Sequence, residues 1–445
     1  EMLCAFLQIT WARKRISKRV LHSFIISMTQ DSADLLAVLW FAKQSGLWVQ
    51  GSKARISITP LLETIDDLQK AGEILHDLCA NPYYRDYLTQ HGNTQEIMIG
   101  YSDSSKDGGI FTSNYSLNAA INDLMALKDE LGISFKLFHG RGGSVSRGGG
   151  KLETALFASP PQSVAGFLKT TEQGEVIAAK YLNRSNASYH FTTTLAALLK
   201  CSVNDRFHIK THKESEAQKQ LLQKMSAISR KKYRSLVYET EGFIDYFKEA
   251  TPIRFIQQLN IGSRPSKRRD TQRVEDLRAI PWVFAWTQNR AILPAWFGVG
   301  SGCEGVKDEH GILQQCYANV PFFKVTIDNI ARSLLKVNLQ IASLYQQFVK
   351  NIALREQIFD IICAEYALTS AWVKEIRNEK ELLANEATLR ESLLLRNPMI
   401  DAINFFQVEL IKEFEQSQYN ERKQRLTKLI ASTIVGIAQG MKNTG

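Results

Sequence analysis

Residues 96–143 read EIMIGYSDSSKDGGIFTSNYSLNAAINDLMALKDELGISFKLFHGRGG. The run opens with a short β-branched stretch, 96–100, and closes with another, 134–138. Between them, 114–131 carries apolar residues at helical spacing and stops at a glycine. Strand, helix and strand in such short order form a parallel βαβ unit. The same alternation extends toward the N-terminus. Strands are expected over 22–28 and 55–62, and helices over 32–46 and 64–90, the second broken at Asn81-Pro82. The expected class is α/β and rich in helix. A polar residue follows each of three strands: Glu63, Asp103 and His139. Barrels and doubly wound sheets both bind ligands at the C-terminal ends of their strands, so this pattern leaves both open.

Toward the C-terminus, 205–250 reads as a polar helical excursion from the core, and 320–440 as long amphipathic helices. The 445 residues are 44% hydrophobic and 22% charged, which excludes a mostly disordered chain, a collagen and a small disulfide scaffold. The richest apolar stretch, 279–302, holds two prolines, Arg290 and the Gln288-Asn289 pair, so it reads as buried core and no membrane span is expected. Six scattered cysteines with no C-x-x-C pair point to reduced thiols in a cytoplasmic protein. The opening Glu1-Met2-Leu3-Cys4, followed by a basic run over 13–19, is not a secretory signal and reads as a cut from something longer. A net charge of +10 attracts nucleic acid, phosphates and anionic metabolites alike.

Four stretches carry chemistry. The first, FHGRGGSVSRGGG (138–150), packs six glycines, two arginines and a histidine into a loop after a strand. Glycines let backbone N–H groups approach an anion, arginine forks onto phosphate or carboxylate, and histidine moves protons near neutral pH. The bland reading is a linker or an RGG-type RNA-binding segment. The second, GYSDSSKDGG (100–109), offers Asp103 for a divalent cation and Lys106 for a phosphate oxygen, or simply a capped helix start. The third is Glu63, at the matching place on the preceding strand; two carboxylates at adjacent strand ends can share one hard cation. The fourth, GSRPSKRR (262–269) with Arg278 shortly after, reads as a basic loop or as a site rim carrying fixed arginines. His208 and His212 have metal-compatible spacing but lack a third ligand.

Taken in order, these motifs with TEQGEVI (171–177), LRAIPWVFAWTQNR (277–290), LLLRNPMID (393–401) and KNTG (442–445) resemble phosphoenolpyruvate carboxylase. The resemblance covers the C-terminal half of that family. It implies the C-terminal part of a (β/α)8 TIM-type barrel with many additional helices. Residues 1–300 would be barrel and 301–445 a helical region with an effector site. It implies Mg2+ or Mn2+ on Glu63 and Asp103, and phosphoenolpyruvate held by Arg141, Arg264 and Arg278. His139, Arg147 and Lys106 would serve carboxylation with bicarbonate. Arg147, Lys336, Arg396 and Asn443 would bind aspartate or malate as inhibitor. The implied product is oxaloacetate, with phosphate, as carbon fixation that replenishes the tricarboxylic acid cycle. The family is a cytoplasmic homotetramer; a partner N-terminal half with its own catalytic histidine is implied, and neither nucleic acid nor membrane.

Two positions depart from the family. Ser146 stands where the family has glycine, so a positive φ there would strain it. Asp270-Thr271-Gln272-Arg273 replaces a loop that usually holds proline and two glycines. Two other classes of function compete with the carboxylase: a non-catalytic dicarboxylate-binding regulatory or assembly module, and an RNA-binding protein.

Overall fold

The computed structural model of the chain describes residues 1–164, 166–207, 209, 214–259 and 273–442. Among them five strands form: β1 (Ser23–Ile26), β2 (Ser57–Leu62), β3 (Thr94–Gly100), β4 (Ser134–Gly140) and β5 (Lys169–Thr170). They pair in sequence order, and every pair is parallel. A doubly wound sheet reverses its strand order at a switch point. This sheet has no reversal, and it curls as a half-barrel. Helices make up most of the remainder, so the helix-rich α/β class holds.

Local chemistry sets the helix boundaries. Thr64 and Asp67 form a reciprocal capping box at the start of helix Ile65–Ala80. Asn81 then ends that helix and caps Pro82–Gln90, accepting from Tyr83 N at 3.0 Å and Tyr84 N at 3.3 Å. Pro82 occupies the first helical position, where its missing N–H costs nothing. Helix Ile110–Leu131 starts ahead of the expected 114, directly on Gly109 at φ 83°.

A buried carboxylate ties the sheet together from within. Glu96 on β3 accepts from Thr59 Oγ1 on β2 (3.1 Å), Ser23 Oγ on β1 (3.3 Å) and Lys169 Nζ on β5 (2.7 Å). A charge taken out of water needs such partners.

Two apolar cores flank this arrangement. The smaller packs helices on the sheet, from Phe6 to Leu137. The larger is helix on helix, from Ile110 to Met441. Helix Ile110–Leu131 feeds both, with Ile110 and Phe111 in the larger and Leu117, Ile121 and Leu124 in the smaller. Residues 205–250, polar on average, supply helix Glu216–Val237. Its stripe of Leu221, Leu222, Met225 and Tyr233 lies inside the larger core, because an amphipathic helix hides its apolar face in an averaged composition. The stretch read as buried core is indeed buried: Trp282 and Trp286 meet edge to face at 5.7 Å, and Phe247 lies 4.8 Å from Trp282. Each such ring contributes on the order of 3 kcal/mol. All six cysteines are unpaired. Among the described residues no helix is long and apolar enough to cross a membrane.

Candidate functional site

Parallel pairing sets Leu62 opposite Ile99, so Glu63 and Gly100 leave the sheet side by side. A Cβ on Gly100 would sit 3.1 Å from both Glu63 Cα and Leu62 O; glycine therefore lets these two strand ends close together. Asp103 follows in the first turn of helix Ser102–Gly108. Glu63 is buried and Asp103 half-buried. Among the described residues no three His, Cys, Asp or Glu side chains cluster. Glu63 and Asp103 are thus carried by the ends of neighbouring strands, and carboxylates are the donor type that a hard divalent cation takes.

β4 brings the glycine loop alongside, with His139 opposite Ile99 and Gly140 opposite Gly100. Gly142 N donates to Arg147 O and Gly149 N to Ser144 O, each at 2.7 Å, folding the loop on itself. A Cβ on Gly149 would lie 2.4 Å from Gly143 O, so this fold requires glycine there. Ser146 lies in the 3-10 turn Val145–Arg147, a conformation open to any residue, and serine imposes no backbone strain. Arg141 Nε donates to Gly148 O at 2.5 Å, and burial pulls its pKa down. Arg147 is buried, and its Nε donates to Ser102 Oγ at 2.9 Å. The glycine loop and the Asp103 helix are thus joined directly.

His139 Nδ1 lies 2.9 Å from the Tyr101 hydroxyl. Loss of solvation lowers the His139 pKa to about 4, with the Arg141 charge adding to it, and raises that of Tyr101. When the phenol donates, Nδ1 accepts and the neutral imidazole carries its hydrogen on Nε2. The sign of the pH effect follows. Below its ordinary pKa of 6.5 the unfolded chain takes up a proton that the folded chain refuses. Stability is therefore full above about pH 6.5, falls as pH drops, and has lost up to about 3 kcal/mol from this residue near pH 4. Imidazole resonances followed by NMR should titrate near pH 4, and a His139→Gln variant should show a shallower acid loss of stability.

Lys106 is buried, and its ammonium donates to Val274 O (3.3 Å), Glu275 O (2.9 Å) and Leu277 O (2.6 Å). It grips the segment that leads into Arg278, the N-cap of helix Ala279–Gln288. Arg264, with the rest of 260–272, lies outside the described residues, as do His208, His212 and Asn443. Sequence reasoning passed over Tyr101, Ser102 and Thr171. Thr171 N donates to His139 O at 3.0 Å and its hydroxyl to Arg141 O at 2.9 Å, fixing the loop from β5.

Of the residues expected to hold an inhibitor, Lys336 and Arg396 lie near one helix end and Arg147 bonds elsewhere. A cavity of about 540 Å3 lies between the glycine loop (Gly143, Ser144, Val145) and the C-terminal helices (Arg332, Lys336, Glu386, Met441). Lys336 Nζ lies 3.5 Å from Met441 O, and Arg396 Nη1 lies 3.3 Å from Gly440 O. Both cations converge on the C-terminal end of helix Asn420–Met441, the negative end of its dipole. Burial, reinforced by Arg396, Lys442, Arg332 and Arg290, pushes the Lys336 pKa down to about 8. Neither Arg147 nor Arg396 is among the cavity's lining residues: Arg147 sits with Ser102, and Arg396 with Gly440 O.

A profile of the phosphoenolpyruvate carboxylase family matches residues 1–445. The chain is 38% identical to a phosphoenolpyruvate carboxylase of Nitrosomonas europaea, over 97% of this chain and 47% of the relative. It is 39% identical to one of Rhodopseudomonas palustris, over 100% of the chain and 47% of the relative. A Corynebacterium glutamicum phosphoenolpyruvate carboxylase is 38% identical over 98% and 48%. The chain spans about half the length of these curated relatives. The profile match along the whole chain and these relatives agree: the chain belongs to the phosphoenolpyruvate carboxylase family.

Proposed function

We propose that the chain is the C-terminal catalytic portion of a phosphoenolpyruvate carboxylase, forming oxaloacetate and phosphate from phosphoenolpyruvate and bicarbonate. The observation that carries this reading is the convergence of three strand ends: Glu63, Asp103 and the glycine loop meet, joined by the Arg147–Ser102 bond. The half-barrel sheet is then the C-terminal part of a (β/α)8 barrel, completed by the N-terminal half in a cytoplasmic homotetramer. Glu63 and Asp103 would hold Mg2+ or Mn2+, which supplies Lewis-acid charge for the developing enolate oxygen. Arg141, Arg278 and Arg264 would bind the phosphoryl group as bicarbonate attacks it. His139, neutral near pH 7 and oriented by Tyr101, would hold or release a proton beside bicarbonate through Nε2. Lys106 would keep the Arg278 segment in place. Arg147 would stabilise negative charge during carboxylation of the enolate. The cavity lined by Lys336 and Arg332, with Arg396 on the adjoining helix end, would take aspartate or malate and draw Arg147 away from Ser102.

The purified chain, given phosphoenolpyruvate, bicarbonate and Mg2+, is expected to make no oxaloacetate until the N-terminal half is supplied. Sustained turnover by the chain alone would overturn that division of labour. The second reading, a non-catalytic dicarboxylate-binding module, gains from the cations Arg332, Lys336 and Lys442 that line the cavity. It predicts aspartate binding without cation-dependent phosphoenolpyruvate binding.

A further inference from the structure

Arg290 bonds to the backbone of Lys336, which lines the cavity, and is 0% exposed. Its backbone takes φ 63°, unusual for a residue with a side chain. A guanidinium does not shed its charge, so burial this deep demands partners. Nη1 donates to Asp401 Oδ1, and Nη2 to Asn397 Oδ1 at 3.3 Å. Nε and Nη2 both donate to Lys336 O, at 3.2 and 3.1 Å. The latch closes on both sides. Asn338 Nδ2 donates to Asp401 Oδ2 at 3.0 Å, Asn338 N to Arg290 O at 3.0 Å, and Asn397 Nδ2 to Leu335 O at 3.1 Å. One side chain therefore couples the backbone of Lys336 to the helical turn that carries Arg396.

We propose that Arg290 is the positioning residue of the anion cavity: it fixes Lys336, which lines the cavity, to the helical turn that carries Arg396, so that Lys336 meets a four-carbon dicarboxylate already in place. The inference rests on the dicarboxylate reading of the cavity. Its physical content is preorganisation. With Lys336 anchored through its carbonyl, little ordering remains when the ligand arrives. Lysine at 290 keeps the charge but cannot fork onto Lys336 O while holding Asp401.

The test is calorimetric titration of the full chain with aspartate. Arg290→Lys should weaken binding about tenfold, in the range found when supporting partners of a ligand-binding side chain are removed. Asn397→Ala should weaken it several-fold. Arg290→Met also removes a cation beside Lys336, leaving Arg396, Lys442, Arg332, Lys151 and Glu386 in place. The pH at which aspartate binding fades should then rise, whereas Arg290→Lys, which keeps the cation, should weaken binding without moving that pH. If the Met variant does not fold, the Lys and Asn397→Ala variants still decide. Wild-type affinity in both, with Lys336→Ala unable to bind, overturns the inference and leaves the cavity reading intact. No aspartate binding by the wild-type chain overturns both.

Discussion

Aspartate binding is expected to disappear in Lys336→Ala, with affinity falling on the order of a hundredfold or more. The cavity's chemistry makes the effect large. Lys336 is half-buried, its ammonium shares one helix end with Arg396, and its own pKa is pulled down to about 8. A cation held so reluctantly gains much from a carboxylate partner. The pH dependence has a definite sign. Below about pH 8 Lys336 is charged and attracts the ligand's carboxylates; above it the free site loses its proton and affinity declines. Bound dicarboxylate itself favours the ammonium, so the decline should continue until the higher pKa of the complex is reached. Titrations with malate, which has no amine of its own, at several pH values between 7 and 10 check this. Affinity that is flat across that range would place the ligand away from Lys336.

The second large effect belongs to the strand ends. Glu63→Gln and Asp103→Asn each keep the shape of the side chain and remove one negative charge. Each should weaken Mn2+ binding on the order of a hundredfold, because a hard cation with two protein carboxylates loses half of that charge. The free-ion resonance signal of Mn2+ measures this without any turnover. Retained binding in both variants would mean that the carboxylates serve the fold alone. Their placement is set by backbone pairing: Leu62 opposite Ile99, with Gly100 too small to push Glu63 aside.

Much of this was legible in the residues because it depends on local rules. Four strands show as β-branched runs between caps and glycines, and the Asn81-Pro82 break follows from a missing N–H. Strand β5 escaped because two residues, Lys169–Thr170, make no pattern; its existence depends on pairing with Phe138 and His139. Helix Ser102–Gly108 was readable only as a capped start. The first turn of Ile110–Leu131 was hidden because Gly109 opens it without a side-chain cap. At the site, the charged residues announce themselves by position after strands, but their partners do not. Tyr101 beside His139, Ser102 beside Arg147 and the carbonyls around Lys106 are meetings across sequence separations of 38, 45 and up to 171 residues. Arg290 looked like a polar interruption in an apolar stretch; only the packed helices reveal what it grips.

The most direct measurement of the central claim is phosphoenolpyruvate binding to the purified chain with and without Mn2+. The carboxylase reading predicts binding that requires Mn2+, that is lost in Asp103→Asn, and that Lys336→Ala leaves unchanged. Aspartate binding that persists while phosphoenolpyruvate fails to bind, whether or not Mn2+ is present, would contradict it and identify the chain as a dicarboxylate-binding module.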